Sequence, residues 1–196
     1  IDTAFYASEL KALGLTEALV PPHGGSLNLN ESGAWYAGAE GRRVADIVVS
    51  FQTPAGGWNK NTAFTDHSRR PGERSGYEAG YVGTIDNDAT IVPLRFLAKI
   101  ISAPGTAPAA SAPYRAAFSR GVDYLLVAQF PNGGWPQVWP LEGGYHDMIT
   151  FNDSALVNVL TLLGDIAAGR AEFAFTPPEL RARAMESFDR GLSCIL

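Results

Sequence analysis

An all-α protein built from repeated helical hairpins is the fold class this sequence predicts, and three observations predict it. Apolar residues recur at spacings of three and four at Phe118, Val122, Leu125, Leu126 and again at Leu156, Val159, Leu160, Leu163, which puts them on one stripe of a helix. A composite motif occurs twice: Arg43, Asp46, Gln52, Pro54, Gly56, Gly57, Trp58 with Thr84, Asp86, Asn87, Ala89, and then Arg120, Asp123, Gln129, Pro131, Gly133, Gly134, Trp135 with Thr150, Asn152, Asp153, Ala155. Only the loop between the two halves of the motif changes length, as expected of one supersecondary unit used repeatedly. Alternating strand-like runs are scarce.

Taken in order, helices are expected over residues 3 to 13, 41 to 52 and 89 to 101. Pro93 weakens the third of these unless that helix starts late, because proline has no backbone donor. The stripes at Phe118–Leu126 and Leu156–Leu163 supply two more. The last opens at Thr176-Pro177-Pro178-Glu179 and runs towards Leu196, with a threonine cap, proline at the first helical position and glutamate three residues after the cap. Between the helices lie long Gly- and Pro-rich connections, Pro21 to Gly33, Thr53 to Gly83 and Asn132 to Tyr145. Loops of that length in a compact domain are commonly functional.

The predicted architecture is an α/α toroid, an incomplete barrel of helical hairpins with the Gly-Gly-Trp and acidic loops at one end, lining a substrate groove. A third copy of the motif begins at Phe188, Arg190 and Gly191 and does not reach its glutamine. Residues 1–196 are therefore expected to be the N-terminal portion of a single module that continues further.

The chain has 196 residues, 46% apolar and 18% charged, with a net charge of −5. That composition suits one buried core. It argues against nucleic acid as a partner, which clustered positive charge would recruit. No apolar run reaches the roughly eighteen residues of a membrane span, and Ile1-Asp2-Thr3 is neither an initiator methionine nor a signal peptide, so a processed or cut start is expected. The single cysteine, Cys194, excludes an internal disulfide framework. His23, His67 and His146 show no metal-ligand spacing, and nothing marks a covalent nucleophile.

Each motif has a structural and a functional reading. The Gly-Gly-Trp segments suit helix stops, with glycine at positive φ, glutamine on freed carbonyls and tryptophan over the next layer. An exposed Trp58 or Trp135, beside Lys60 and Gln137, would equally suit stacking on a sugar. Asp86-Asn87-Asp88 and Asn152-Asp153-Ser154 each precede a helix and so suit N-capping. Capping needs one such residue rather than three, and hard oxygens from both loops could bind calcium. An EF-hand is excluded, since its glycine and terminal glutamate are replaced by Ile91 and Leu97. Lys60, His67, Arg69, Arg70 and Arg74 make a basic loop, which is either solvated surface or a recogniser of substrate carboxylates.

Phe51-Gln52-Thr53-Pro54-Ala55-Gly56-Gly57-Trp58-Asn59-Lys60, Thr84-Ile85-Asp86-Asn87-Asp88-Ala89-Thr90, Asn132-Gly133-Gly134-Trp135-Pro136-Gln137 and Ile149-Thr150-Phe151-Asn152-Asp153 together resemble the pectate lyases of polysaccharide lyase family 10. The resemblance implies a secreted enzyme that cleaves polygalacturonate by calcium-assisted β-elimination, giving 4,5-unsaturated oligogalacturonides. It implies Asp86 and Asp153 as active-centre aspartates and Asp86, Asn87, Asp88 and Asp153 as calcium ligands. Trp58, Lys60, Arg69, Arg70, Trp135 and Gln137 would bind substrate. The family's base is an arginine, expected beyond Leu196. A monomer without nucleic-acid or membrane partners is expected. Two other classes share parts of this pattern: a non-catalytic carbohydrate-binding module, and a terpene cyclase or prenyltransferase on the same toroid.

Overall fold

The structure is a computed structural model that describes residues 2–25, 27–78, 80 and 82–196. It is mostly helical: α1 (Asp2–Leu13), α2 (Gly33–Ala37), α3 (Ala39–Ser50), α4 (Ile91–Ser102), α5 (Ala112–Ala128), α6 (Ala155–Ala168) and α7 (Pro178–Ile195), with two short strands, β1 (Gly83–Thr84) and β2 (Val138–Trp139). Every predicted helix is present; α2 was not anticipated. It is nucleated by Ser32, whose side chain accepts from the Trp35 amide at 3.2 Å.

Pro93 falls in the first turn of α4, where an amide has no intrahelical acceptor and its loss costs nothing. The expected start of α7 needs correction. Pro177, not Thr176, sits at the cap, and no side chain bonds there. Thr176 is buried and donates to the Phe173 carbonyl at 2.8 Å while accepting from Arg181 at 3.0 Å, so it braces the preceding turn. At the end of α6, Gly169 at φ 60° closes the helix and donates to Ile166, as left-handed glycine stops do.

The helices form two rows. α3 and α5, each leading into a Gly-Gly-Trp loop, pack side by side with α7, and α4 and α6, each following an acidic loop, form the second row against them. The second row is the more apolar. Leu94, Leu97, Leu156, Leu162 and Leu163 are completely buried, each worth roughly 1.5–3 kcal/mol relative to exposure.

Consecutive repeats interlock through one device used twice. Gln52 Nε2 donates to the Gly56 and Ala117 carbonyls, both at 2.8 Å, and Gln129 Nε2 donates to Gly133 at 2.9 Å and Ser187 at 2.8 Å. Trp58 and Trp135 each donate their indole N–H at 2.8 Å to a carbonyl ten residues back, Val48 and Leu125. Gly121 and Gly191 make room for these rings, since a Cβ there would lie 2.8 Å and 2.7 Å from the indoles. Both tryptophans are fully buried. The expectation that Trp58 and Trp135 bind substrate is therefore overturned: the indoles wedge each repeat onto the next helix and are sealed from solvent.

Candidate active site

The loop carrying the first acidic cluster is sewn to the second Gly-Gly-Trp loop. β1 pairs antiparallel with β2, Thr84 opposite Val138. The Gln137 carbonyl accepts from Thr84 Oγ1 at 2.6 Å and from the Ile85 amide at 3.0 Å. Thr84 Oγ1 in turn accepts from the Asp86 amide at 3.0 Å. The same pairing recurs within each repeat, Thr84 donating to the Trp58 carbonyl at 3.0 Å and Thr150 to that of Trp135 at 3.2 Å. The acidic loops are thus hung from the main chain of the two buried tryptophans.

Both acidic loops are single 3₁₀ turns in which two successive residues are left-handed: Asn87 (φ 49°) and Asp88 (φ 57°), then Asp153 (φ 49°) and Ser154 (φ 61°). Asn and Asp tolerate this region better than other non-glycine residues. The doubled turn reverses the chain so that the side chains fan out ahead of α4 and α6 rather than capping them. No side-chain cap bond forms at either helix.

Asp86 is buried, and its Oδ2 accepts from Lys60 Nζ at 2.6 Å. The Asp86 hydrogen bond holds the Lys60 ammonium above the ordinary lysine range. Lys60 stands on the shared rim of two cavities. One, of about 150 Å³, is lined by Asn59, Lys60, Glu78, Thr84, Asp86, Gln137, Glu142 and His146. The other, of about 290 Å³, reaches across Asn87 and Asp88 to His23 and Pro93. The preceding residue fixes the lysine: Asn59 is buried, donates to the Val82 carbonyl at 3.2 Å and accepts from the Glu78 amide at 3.1 Å.

Lys60, Asp86, Asn87, Asp88 and Gln137 are brought together around these two cavities. The second acidic loop adjoins the first through Asn158 of α6, which donates to Asp88 Oδ1 at 2.7 Å. Asp153 lines neither of the two cavities, and its Oδ2 accepts from the exposed Asn152 at 2.6 Å.

One expected substrate contact, Arg69, is corrected. Arg69 is ion-paired with Glu9 of α1, donates to the Glu73 carbonyl at 2.6 Å and lies 5.0 Å from the Tyr6 ring centre, so it staples α1 to the loop. Arg70 is exposed and lines neither cavity. His67, in the same loop, contacts Glu73 at 2.9 Å and Asp66 at 2.6 Å. The basic segment is chiefly a structural network, with Lys60 alone of its predicted members facing the cavities.

Sequence reasoning missed Glu78, Glu142, His146 and Asn158. The lengths of the loops holding the first three were their only signal. Asn158 shows as a polar residue two places after Leu156, within an apolar first half of α6.

Among the described residues no three His, Cys, Asp or Glu side chains gather into a metal cluster. The donor chemistry still fits part of a calcium shell. Asp86, Asp88 and Asp153 each commit one carboxylate oxygen to Lys60, Asn158 and Asn152, which leaves each a second hard oxygen. Calcium takes six to eight, of which these carboxylates would supply part. Among the described residues no helix is long and apolar enough to cross a membrane.

The family model for pectic acid lyase matches residues 52–196. No curated protein matches the chain. Among solved structures, a family 10 polysaccharide lyase from Cellvibrio cellulosa aligns with 32% identity and a TM-score of 0.66 over 82% of this chain and 47% of its own. A mutant of such an enzyme from the same organism, in complex with trigalacturonic acid, aligns with 32% identity and a TM-score of 0.66 over 86% of this chain and 52% of its own. The chain thus spans about half the length of the structures it matches. With a family match over nearly three quarters of its residues, and with both tryptophan hinges and both acidic loops inside that match, the chain belongs to the pectic acid lyase family.

Proposed function

We propose that this protein is a pectate lyase that cleaves polygalacturonate by calcium-assisted β-elimination. The observation that carries the reading is the partly buried Asp86–Lys60 pair on the rim of two adjoining cavities, at the junction of two repeats, in a chain of the pectic acid lyase family. The trigalacturonic acid bound to the similar Cellvibrio enzyme supports a uronate polymer as substrate.

β-Elimination passes the C5 proton of a galacturonate residue to a base, builds negative charge on the adjacent C6 carboxylate, forms the C4–C5 double bond and breaks the C4–O4 bond of the same residue, the oxygen leaving with the preceding sugar. Lys60, kept protonated by Asp86, is suited to hold a substrate carboxylate by a charge-assisted hydrogen bond, and positions substrate rather than accepting its proton. Asp86, Asn87, Asp88 and Asp153 would hold calcium with their remaining oxygens, substrate carboxylates completing the shell. A bound calcium ion supplies electrostatic stabilisation of the charge that develops on the C6 carboxylate. Thr84 and Gln137 hold the Asp86 backbone so that its carboxylate is aimed before substrate arrives. The acidic overall charge repels a polyanion, and the cation together with Lys60 offsets it locally.

The two helical rows read as the two layers of an α/α toroid, with the repeats as its consecutive sectors, and a substrate in the plant cell wall fits a secreted, monomeric enzyme. The test is to mix the protein with polygalacturonate and calcium and follow ultraviolet absorbance. A rise from the 4,5-unsaturated uronate, abolished by chelator, is expected; a flat trace with calcium present would refute the assignment.

A further inference from the structure

The larger cavity has a wall that comes from before the stretch matched by the family model. His23, Gly24, Gly25 and Leu27 line it together with Lys60, Asn61, Asn87 and Asp88, over a floor of Phe64, Ala89, Val92 and Pro93. The wall is pinned in place. His23 pairs with Thr62 as an antiparallel bridge, the Gly24 amide donates to Asn61 at 3.0 Å, and the Ala63 amide donates to Pro22 at 3.1 Å. Residues 22–24 are therefore zipped to residues 61–63, the stretch that directly follows Lys60. Gly24 permits the approach, since a Cβ there would lie 2.4 Å from Ala63 Cα. His23 itself is exposed and meets Tyr77 edge-on at 4.8 Å, which fixes the plane of the imidazole.

Its lining combines a flat ring and apolar side chains with amides, one carboxylate and one ammonium. A pyranose has the same division, with C–H faces and a polar edge. The volume of about 290 Å³ stands at the lower end of the roughly 300–1,000 Å³ of ligand sites, the size for a ring or two rather than a polymer. On the pectate lyase reading, which this inference deepens, we propose that the His23 segment forms the outer wall of a subsite for one further uronate residue of the chain, packed against the imidazole with its carboxylate towards Lys60. His23 would then set how strongly longer chains are preferred.

The test is calorimetric titration of the protein with trigalacturonate and with hexagalacturonate, each with calcium, repeated on His23→Ala and His23→Phe. His23→Ala is expected to weaken the hexamer about fivefold more than the trimer, and His23→Phe, which keeps a flat ring, is expected to restore most of the difference, with circular dichroism reporting one fold throughout. Equal weakening of both oligomers, no weakening of either, or no rescue by phenylalanine would overturn the subsite. Failure of the unaltered protein to bind either oligomer would overturn the substrate reading itself, and the subsite with it.

Discussion

The two repeats are nearly identical where they are buried and different where they are open. In each, a glutamine, a left-handed glycine and a sealed tryptophan fasten one helix to the next by the same hydrogen bonds. Their acidic loops share a backbone, yet Asp86 is buried and ion-paired with Lys60 while Asn152 and Asp153 are exposed and bond to each other. The helix pairs differ in the same way. The groove between α4 and α5 is filled by Phe173 and Phe175, which pack on Phe118 and lie under Arg95 and Arg115. The matching groove between α6 and α7, at Leu160, Gly164, Met185 and Phe188, is a hollow of about 280 Å³. Packing geometry is kept between repeats because both must join helices at one spacing, whereas the loops are free to diverge.

If the hinges are equivalent, Trp58→Ala and Trp135→Ala should each cost about 3–5 kcal/mol, measured by urea denaturation. A much smaller cost at either position would show that its indole is not a wedge. If the acidic loops differ in role, Asp86→Asn should lower turnover of polygalacturonate by at least about a hundredfold, some 3 kcal/mol of barrier, and Asp153→Asn should lower it less. Equal losses would make the two loops functional twins despite their different burial.

The glutamines sharpen the comparison further. Gln129 Oε1 accepts from Ser187 at 2.8 Å as well as from Arg190 at 2.7 Å, whereas Gln52 Oε1 accepts from Arg120 at 2.5 Å. Both alanine variants should lose roughly 1–3 kcal/mol, Gln129→Ala the more. The smallest effect is expected in the basic loop. Glu73 and then Asp66 raise the His67 pKa above its ordinary 6.5, so this contribution to stability is complete below pH 6.5 and fades as pH rises through the higher folded value. Melting of wild type and His67→Gln across pH 5 to 8 should converge at the alkaline end.

Helix positions were legible because burial imposes the spacing seen at Leu156, Val159 and Leu163. The Gly-Gly-Trp repeat announced the hinges as well. What it did not reveal was that neither tryptophan faces solvent, since an indole beside polar residues looks alike whether it stacks on sugar or on Gly121. Arg69 was misread for a similar reason: its partner Glu9 lies sixty residues away, beyond any local pattern. Lys60, Asp86 and Gln137 were legible as motif members, and their meeting depends on the β1–β2 pairing, two residues long and without a periodicity to detect.

The central claim is that a uronate carboxylate is held at the Lys60–Asp86 rim. Titrating trigalacturonate with calcium into wild type and Lys60→Gln tests it most directly. Loss of about tenfold or more in affinity, with an unchanged circular dichroism spectrum, is the predicted result; undiminished affinity in Lys60→Gln would contradict it.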